Sequence, residues 1–153
     1  MSFYSNTPIM FGGISGVTAT RGNDPEPGAR INYAGREFVY VYNAGGTAIA
    51  PGKCCVPATS TTGYSCTVSS AVYGIPVGVC VHASIPAASY GWVCYRGTCE
   101  VSVPSACAQG SALCVGSNGA LATYACGTTG KEFGYTTSAS SGSTGMVTAY
   151  ISC

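Results

Sequence analysis

The ten cysteines of this 153-residue chain are the side chains with most chemistry to offer. Two of them, Cys94 and Cys99, stand in the run YGWVCYRGTCEVSV, Tyr90 to Val103, where β-rich segments flank Arg96-Gly97. Read as a two-residue hairpin turn, with Gly supplying φ > 0, that pair sets Tyr95 opposite Thr98 and Cys94 opposite Cys99. Trp92 then faces Val101 and Tyr90 faces Val103. One side of the ribbon is Tyr, Trp, Cys, Cys, Val and Val; the other carries Gly91, Val93, Tyr95, Thr98, Glu100 and Ser102. A one-residue slip would reverse every side chain, so the clean sorting favours this register. Cys94 and Cys99 fall at a non-hydrogen-bonded pair, with Cα atoms roughly 4.5 Å apart. That is the short end of what a disulfide accepts, and a Cys94–Cys99 bridge is expected.

Other reactive combinations are weaker. The single histidine, His82, shares a strand face with Cys80, but roughly two strand rises (6–7 Å) separate their backbones. Nucleophilic catalysis needs hydrogen-bond reach and an orienting third group, so a histidine beside a structural cysteine is the simpler reading. There is no C-x₂-C, the cysteine spacings are irregular, and one histidine cannot complete a Cys₂His₂ set, so no metal is expected. Cys54 and Cys55 are sequence neighbours pointing to opposite faces of a strand, and should have different partners. Ten cysteines allow on the order of nine hundred complete pairings, among which sequence cannot choose. Cys153 could tether another subunit or clip down its own C-terminus. GGTAIAPGKC fails the phosphate-loop pattern, with Thr47 where Gly is required and Cys54 where Ser or Thr is required. Asp24, Glu26, Glu37, Glu100 and Glu132 contain no convincing catalytic pair. Exposed tyrosines could form a sugar platform, although core or interface packing is their commoner role in a β protein. The expectation is a protein that is not an enzyme and takes no cofactor.

Only 7% of residues are charged, and the net charge is +1. Ordinary soluble domains are nearer a quarter charged. Nothing here suggests nucleic acid or an anionic membrane as a partner. A nearly neutral, apolar-leaning surface tends to associate, so much of it is expected to be covered in the working state. A secreted domain with a Ser/Thr/Gly-rich surface is the plainer alternative. The cysteine content points to an oxidising final environment. MSFYSNTPIM has neither a basic nor a sustained apolar region, so no secretory signal is read there; either a leader has already been removed or, as Met1 favours, the protein is made in a cytoplasm and matures outside it.

Two regions are expected: residues 1–35, an extended arm and Pro/Gly linker, and residues 36–153, a β domain. The arm carries Phe3, Tyr4, Ile9, Met10 and Phe11 without clear period, then the loop RGNDPEPGAR. These apolar groups lack local partners and are candidate assembly contacts; a first strand packed on its own barrel is the competing reading. EFVYVYN places Phe38, Tyr40 and Tyr42 on one face and Val39 and Val41 on the other. Such a strand is buried on both sides or lies at a subunit contact, which makes Phe38, Tyr40 and Tyr42 candidate contacts too. TAIAPGKCCVPA reads as two short strands around a Pro-Gly turn, Tyr64–Val68 as a weak strand, and IPVGVCVHA as an alternating one. Asn118-Gly119 is the strongest short-range hairpin signal, and KEFGYTT and GMVTAYISC are closing strands. No 3.6-period apolar stripe of useful length exists. The fold class is all-β: a small barrel or sandwich of short antiparallel strands and hairpins.

The order of these features has a family resemblance. An aromatic/Val strand followed by NAGGTAIAPGK resembles the strand, turn and T-A-hydrophobic-x-x-G opening of the capsid decoration (cement) proteins of tailed bacteriophages. GIPVGVCVHASIPAASYGWVCYRGTCEV is similar to their G-hydrophobic-A … I/V-P-A-G-x-x-G-W-V … G block. ACAQGSALCVGSNGALATY and FGYTTSASSGSTGMVTAYI are similar to their last two units. The resemblance spans roughly residues 36–151, rests on turns and apolar positions, and departs from the family in its ten cysteines. It implies a homotrimer on the outer surface of a virion, bridging major capsid proteins, with disulfides locking the barrel after release. A secreted or self-assembling cysteine-rich β domain for adhesion or fibre formation is the alternative.

Overall fold

Val, Tyr, Phe and Thr fill the alternating stretches, and their branched or aromatic side chains fit pleated backbone. The computed structural model describes residues 16–20, 22, 24–58, 64–68, 75–104, 106–124, 132–141 and 145–153. Ten strands run through them: β1 Arg30–Tyr33, β2 Arg36–Asn43, β3 Cys54–Pro57, β4 Ser65–Val68, β5 Gly78–Val79, β6 Ser89–Val103, β7 Ala112–Val115, β8 Leu121–Thr123, β9 Gly134–Thr136 and β10 Gly145–Ser152. The all-β expectation holds. The order across the sheet is β1-β2-β4-β3-β5-β6-β10-β9-β7-β8.

An additional pairing, β2 with β6, closes part of this sheet on itself. β2 pairs in parallel with β4, while β4–β3, β3–β5, β5–β6 and β6–β2 are antiparallel, so five strands complete a ring. The remaining strands, β10, β9, β7 and β8, extend from β6 as an open antiparallel sheet.

β6 belongs to both parts. Its first half pairs with β2, from Asn43↔Ser89 to Glu37↔Arg96, and its second half with β10, from Ser152↔Arg96 to Gly145↔Val103. The hairpin expected at Arg96-Gly97 is therefore replaced by one continuous strand of 15 residues. The physical reason is a β-bulge. The register with β2 shifts between Glu37 and Phe38, leaving Tyr95 as the extra residue, and Gly97 takes φ 122°. A bulge and a two-residue turn both shift the side-chain alternation by one, so the expected sorting survives. Trp92, Cys94, Cys99, Val101 and Val103 share one core, with Tyr90 packed against it.

The boundary expected at residue 35 falls within a hairpin. β1 pairs with β2 through a turn in which Ala34 and Gly35 have φ 50° and 73°. This is the two-residue, positive-φ turn that hairpins favour, with Ala in the place usually taken by Asn or Asp. The Asn118-Gly119 hairpin forms as expected: β7 and β8 pair across a 3-10 turn at Ser117–Gly119 with Asn118 at φ 52°.

Two cores follow from the alternation. Val39, Val41, Cys55, Cys66, Cys80 and Val93 fill the ring with Ile49 and Ile85. The other ring face offers Phe38, Tyr40, Cys54, Val79, Trp92 and Cys94, which join Val101, Leu113, Leu121, Phe133, Val147 and Ile151 of the open half in one larger core. Each half also has a buried polar anchor. Asn43, wholly buried, donates from Nδ2 to the carbonyls of Thr47 (2.9 Å), Ile85 (2.9 Å) and Pro86 (3.0 Å) and accepts from Gly45 N–H (3.0 Å). Thr136 Oγ1 donates to the Ala108 carbonyl (2.7 Å) and accepts from Ser111 N–H (2.9 Å).

Candidate assembly surface

A bulge places two consecutive side chains on one face, and here they are Tyr95 and Arg96. Both reach Glu37 across the ladder. The Tyr95 hydroxyl donates to Glu37 Oε2, and Arg96 Nη1 lies 3.6 Å from Glu37 Oε1. The carboxylate pushes the Tyr95 phenol above its ordinary range by holding its proton, with burial adding to this and Arg30 opposing it. Arg30 stacks its guanidinium 4.6 Å from the Tyr95 ring centre and donates to the Tyr64 hydroxyl at 3.3 Å. Tyr64 and Tyr95 both pack against the ring interior, so this group covers one end of the ring.

The network continues onto the outer face of the open half. Arg96 Nε donates to the Tyr150 hydroxyl at 3.4 Å, and Tyr150 stacks on Tyr135 with ring centres 5.6 Å apart. Tyr135 and Met146 are 47% and 48% exposed there, so this is an open sheet face with apolar area. In a chain with six basic and five acidic residues, three charged side chains thus join four tyrosines in one strip. Tyr and Arg are the residue types enriched at protein–protein contacts, and the strip is our candidate assembly surface. The bulge that builds it was hidden in sequence behind the hairpin reading; only the adjacency of Tyr95 and Arg96 to Gly97 could have signalled it.

The described contacts expected from sequence, Phe38, Tyr40 and Tyr42, lie outside this strip. Phe38 and Tyr40 are 0% and 3% exposed, sealed in the chain's own core, which corrects their reading as assembly contacts. The double-faced apolar strand is satisfied within the chain because ring and open sheet cover its two faces. Tyr42 is half-buried against Tyr90, ring centres 4.7 Å apart. Phe3, Tyr4, Ile9, Met10 and Phe11 lie outside the described residues. Thr18, near the arm's end, exchanges backbone hydrogen bonds with Tyr90 at 3.2 and 2.7 Å.

The cysteines sort as the strand geometry requires. Cys54 and Cys55 enter different cores, as expected of neighbours on one strand. The nine described cysteines, Cys94 and Cys99 included, are free thiols. Cys80 donates to the Ala83 carbonyl at 3.1 Å, and burial pushes its thiol up to about 12, the reverse of an activated nucleophile. His82 instead stacks on Phe38, ring centres 5.9 Å apart, and burial lowers its pKa. Among the described residues, no group of three or more His, Cys, Asp or Glu side chains is arranged to hold a metal ion.

No protein-family model matches the chain, and no curated protein matches it. Among solved structures it is similar to the N base of the head fibre gp8.5 of bacteriophage phi29. The match has a TM-score of 0.58 at 16% identity and covers 75% of this chain and 94% of that one. The fold resembles that of a phage head-fibre base. The likeness spans nearly the whole of that base, so it concerns the architecture and not one shared hairpin.

Proposed function

We propose that this chain is a structural virion protein that decorates the outside of a phage head, as a homotrimer bridging major capsid proteins. The observation that carries this reading is the likeness in fold to a head-fibre base, a part of a phage head. Low charge and the strip Arg30–Tyr95–Glu37–Arg96–Tyr150–Tyr135 support it, because both suit a surface that is covered in the working particle. The sequence blocks resembling decoration proteins point the same way. In mechanism, three copies present their contacts together, and multivalent attachment converts weak single contacts into firm retention.

A second reading is favoured by the same neighbour: the domain is a base on which a fibre is carried. The two differ in whether the domain carries a further fibre.

Purified protein mixed with undecorated heads and sedimented tests the proposal. Full-length protein should co-sediment. Protein lacking residues 1–15 should stay in the supernatant while keeping its β-sheet circular dichroism; stopping short of Thr18 preserves the Tyr90 pairing. Equal retention of the truncated protein would remove the arm's role, and no retention of either would remove the head-binding reading.

A further inference from the structure

We propose that Cys94 with Cys99, and Cys55 with Cys66, are disulfide-forming sites, each closed by exchange with a low-molecular-weight disulfide as the reduced chain folds in an oxidising medium. The first pair was expected across a hairpin turn that is absent. The fold gives it a different basis, and the second pair emerges only in three dimensions.

Cys94 and Cys99 sit on the two sides of the β6 bulge, five positions apart and so of opposite parity in an unbroken strand. The bulge resets the alternation and delivers both to the larger core. Their side chains are hydrogen-bonded to one another, and Cys94 Sγ also lies 3.5 Å from the Arg96 carbonyl. Cys55 and Cys66 lie on adjoining antiparallel strands. The register Cys55↔Val68 and Pro57↔Cys66 makes them diagonal neighbours on one face, both 0% exposed inside the ring, with their side chains hydrogen-bonded. Cys80, the third thiol of that interior, is engaged instead by the Ala83 carbonyl of its own loop.

In the first pair the Cys99 thiol donates to the Cys94 sulfur, which lowers Cys94 and raises Cys99. Exchange precedes that contact, so either cysteine of the pair attacks first; with Cys94 first, its thiolate breaks the S–S bond of the small disulfide, and one small thiol leaves with a proton. The Cys99 sulfur then attacks Cys94 in the mixed disulfide and expels the second small thiol. Two cysteine thiols lose two protons and two electrons, and one small disulfide becomes two thiols. The second pair closes by the same exchange. All four sulfurs are buried in the finished fold, so exchange belongs to folding, before the strands close. The Cys94–Cys99 bond would clamp β6 where it passes from ring to open sheet, and Cys55–Cys66 would pin β3 to β4.

The test is oxidative refolding of the full chain. Protein unfolded in reductant is refolded in reduced and oxidised glutathione, alkylated in denaturant without reductant, digested and mapped by fragmentation mass spectrometry. The expected products are a Cys94–Cys99 link and a Cys55–Cys66 link, each lighter by two hydrogens than the paired thiols. Adjacent Cys54 is separated by variants: Cys66→Ser should leave Cys55 alkylated, and Cys99→Ser should leave Cys94 alkylated. Alkylation of Cys94 or Cys66 in the refolded natural chain, or a link from either to another cysteine, would overturn the assignment. The natural chain decides the matter even where a variant fails to fold. Nothing in this readout depends on head binding.

Discussion

The ring and the open sheet share strand β6 yet bury it in opposite styles. In the ring half, β6 is covered on both faces, with Val93 in the interior and Trp92 and Cys94 in the larger core. In the open half Gly97, Cys99, Val101 and Val103 are buried, while Thr98 and Glu100 between them are exposed. The sequence differs accordingly, SYGWVC being apolar on both parities and TCEVSV alternating. The lesson is that one strand can carry a closed unit and a one-sided sheet if a bulge lets it change partners. The larger core ties the two halves together, and the bulge places the strip of tyrosines and charges where they meet.

The most severe way to break this picture is Phe38→Ala. Phe38 is fully buried in the core common to both halves, and its truncation should cost about 3–5 kcal/mol. Denaturation followed by the fluorescence of the single tryptophan, Trp92, and by far-ultraviolet circular dichroism should move by the same amount in both signals. A shift in the fluorescence alone would mean that the halves unfold separately. The polar anchors sharpen the comparison. Asn43→Ala, which removes four hydrogen bonds in the ring half, should cost about 2 kcal/mol, and Thr136→Val in the open half about 1 kcal/mol. Equal losses in urea titrations would contradict the larger contribution expected of the ring's four-bond anchor. An effect close in size to that of Thr136→Val is expected at the junction. Gly97→Ala at φ 122°, with a new Cβ 2.8 Å from Arg36 Cγ, should cost a little over about 1 kcal/mol, read as a lower urea midpoint. An unchanged midpoint would show that the bulge tolerates a side chain.

Most of the strands were legible because they alternate or carry strong turn signals. REFVYVYN, SCTV, the pair around Asn118-Gly119 and GMVTAYIS all lie where pattern put them. Arg96-Gly97 was misread because alternation reports only a phase shift, and a turn and a bulge produce the same shift. The two are told apart by what lies across from the strand: β2 before the bulge and β10 after it, both distant in sequence. β1 was missed because Ala34 gives no warning of positive φ. Phe38 and Tyr40 were named as candidate assembly contacts because pattern reveals that both faces are covered without saying by what. The anchoring role of Asn43 was not legible, since the carbonyls of Ile85 and Pro86 that receive its hydrogen bonds arrive from another loop. The strip around Glu37 was illegible for the same reason: its members come from β1, β2, β6, β9 and β10, with Tyr64 beside β4.

Electron cryomicroscopy of the native particle is the most direct test of the central claim. The account predicts density for this ring-and-sheet fold on the outer face of the head, in three-fold clusters seated between major capsid proteins. Particles whose exterior lacks that density, with the chain recovered free as a monomer, would contradict it.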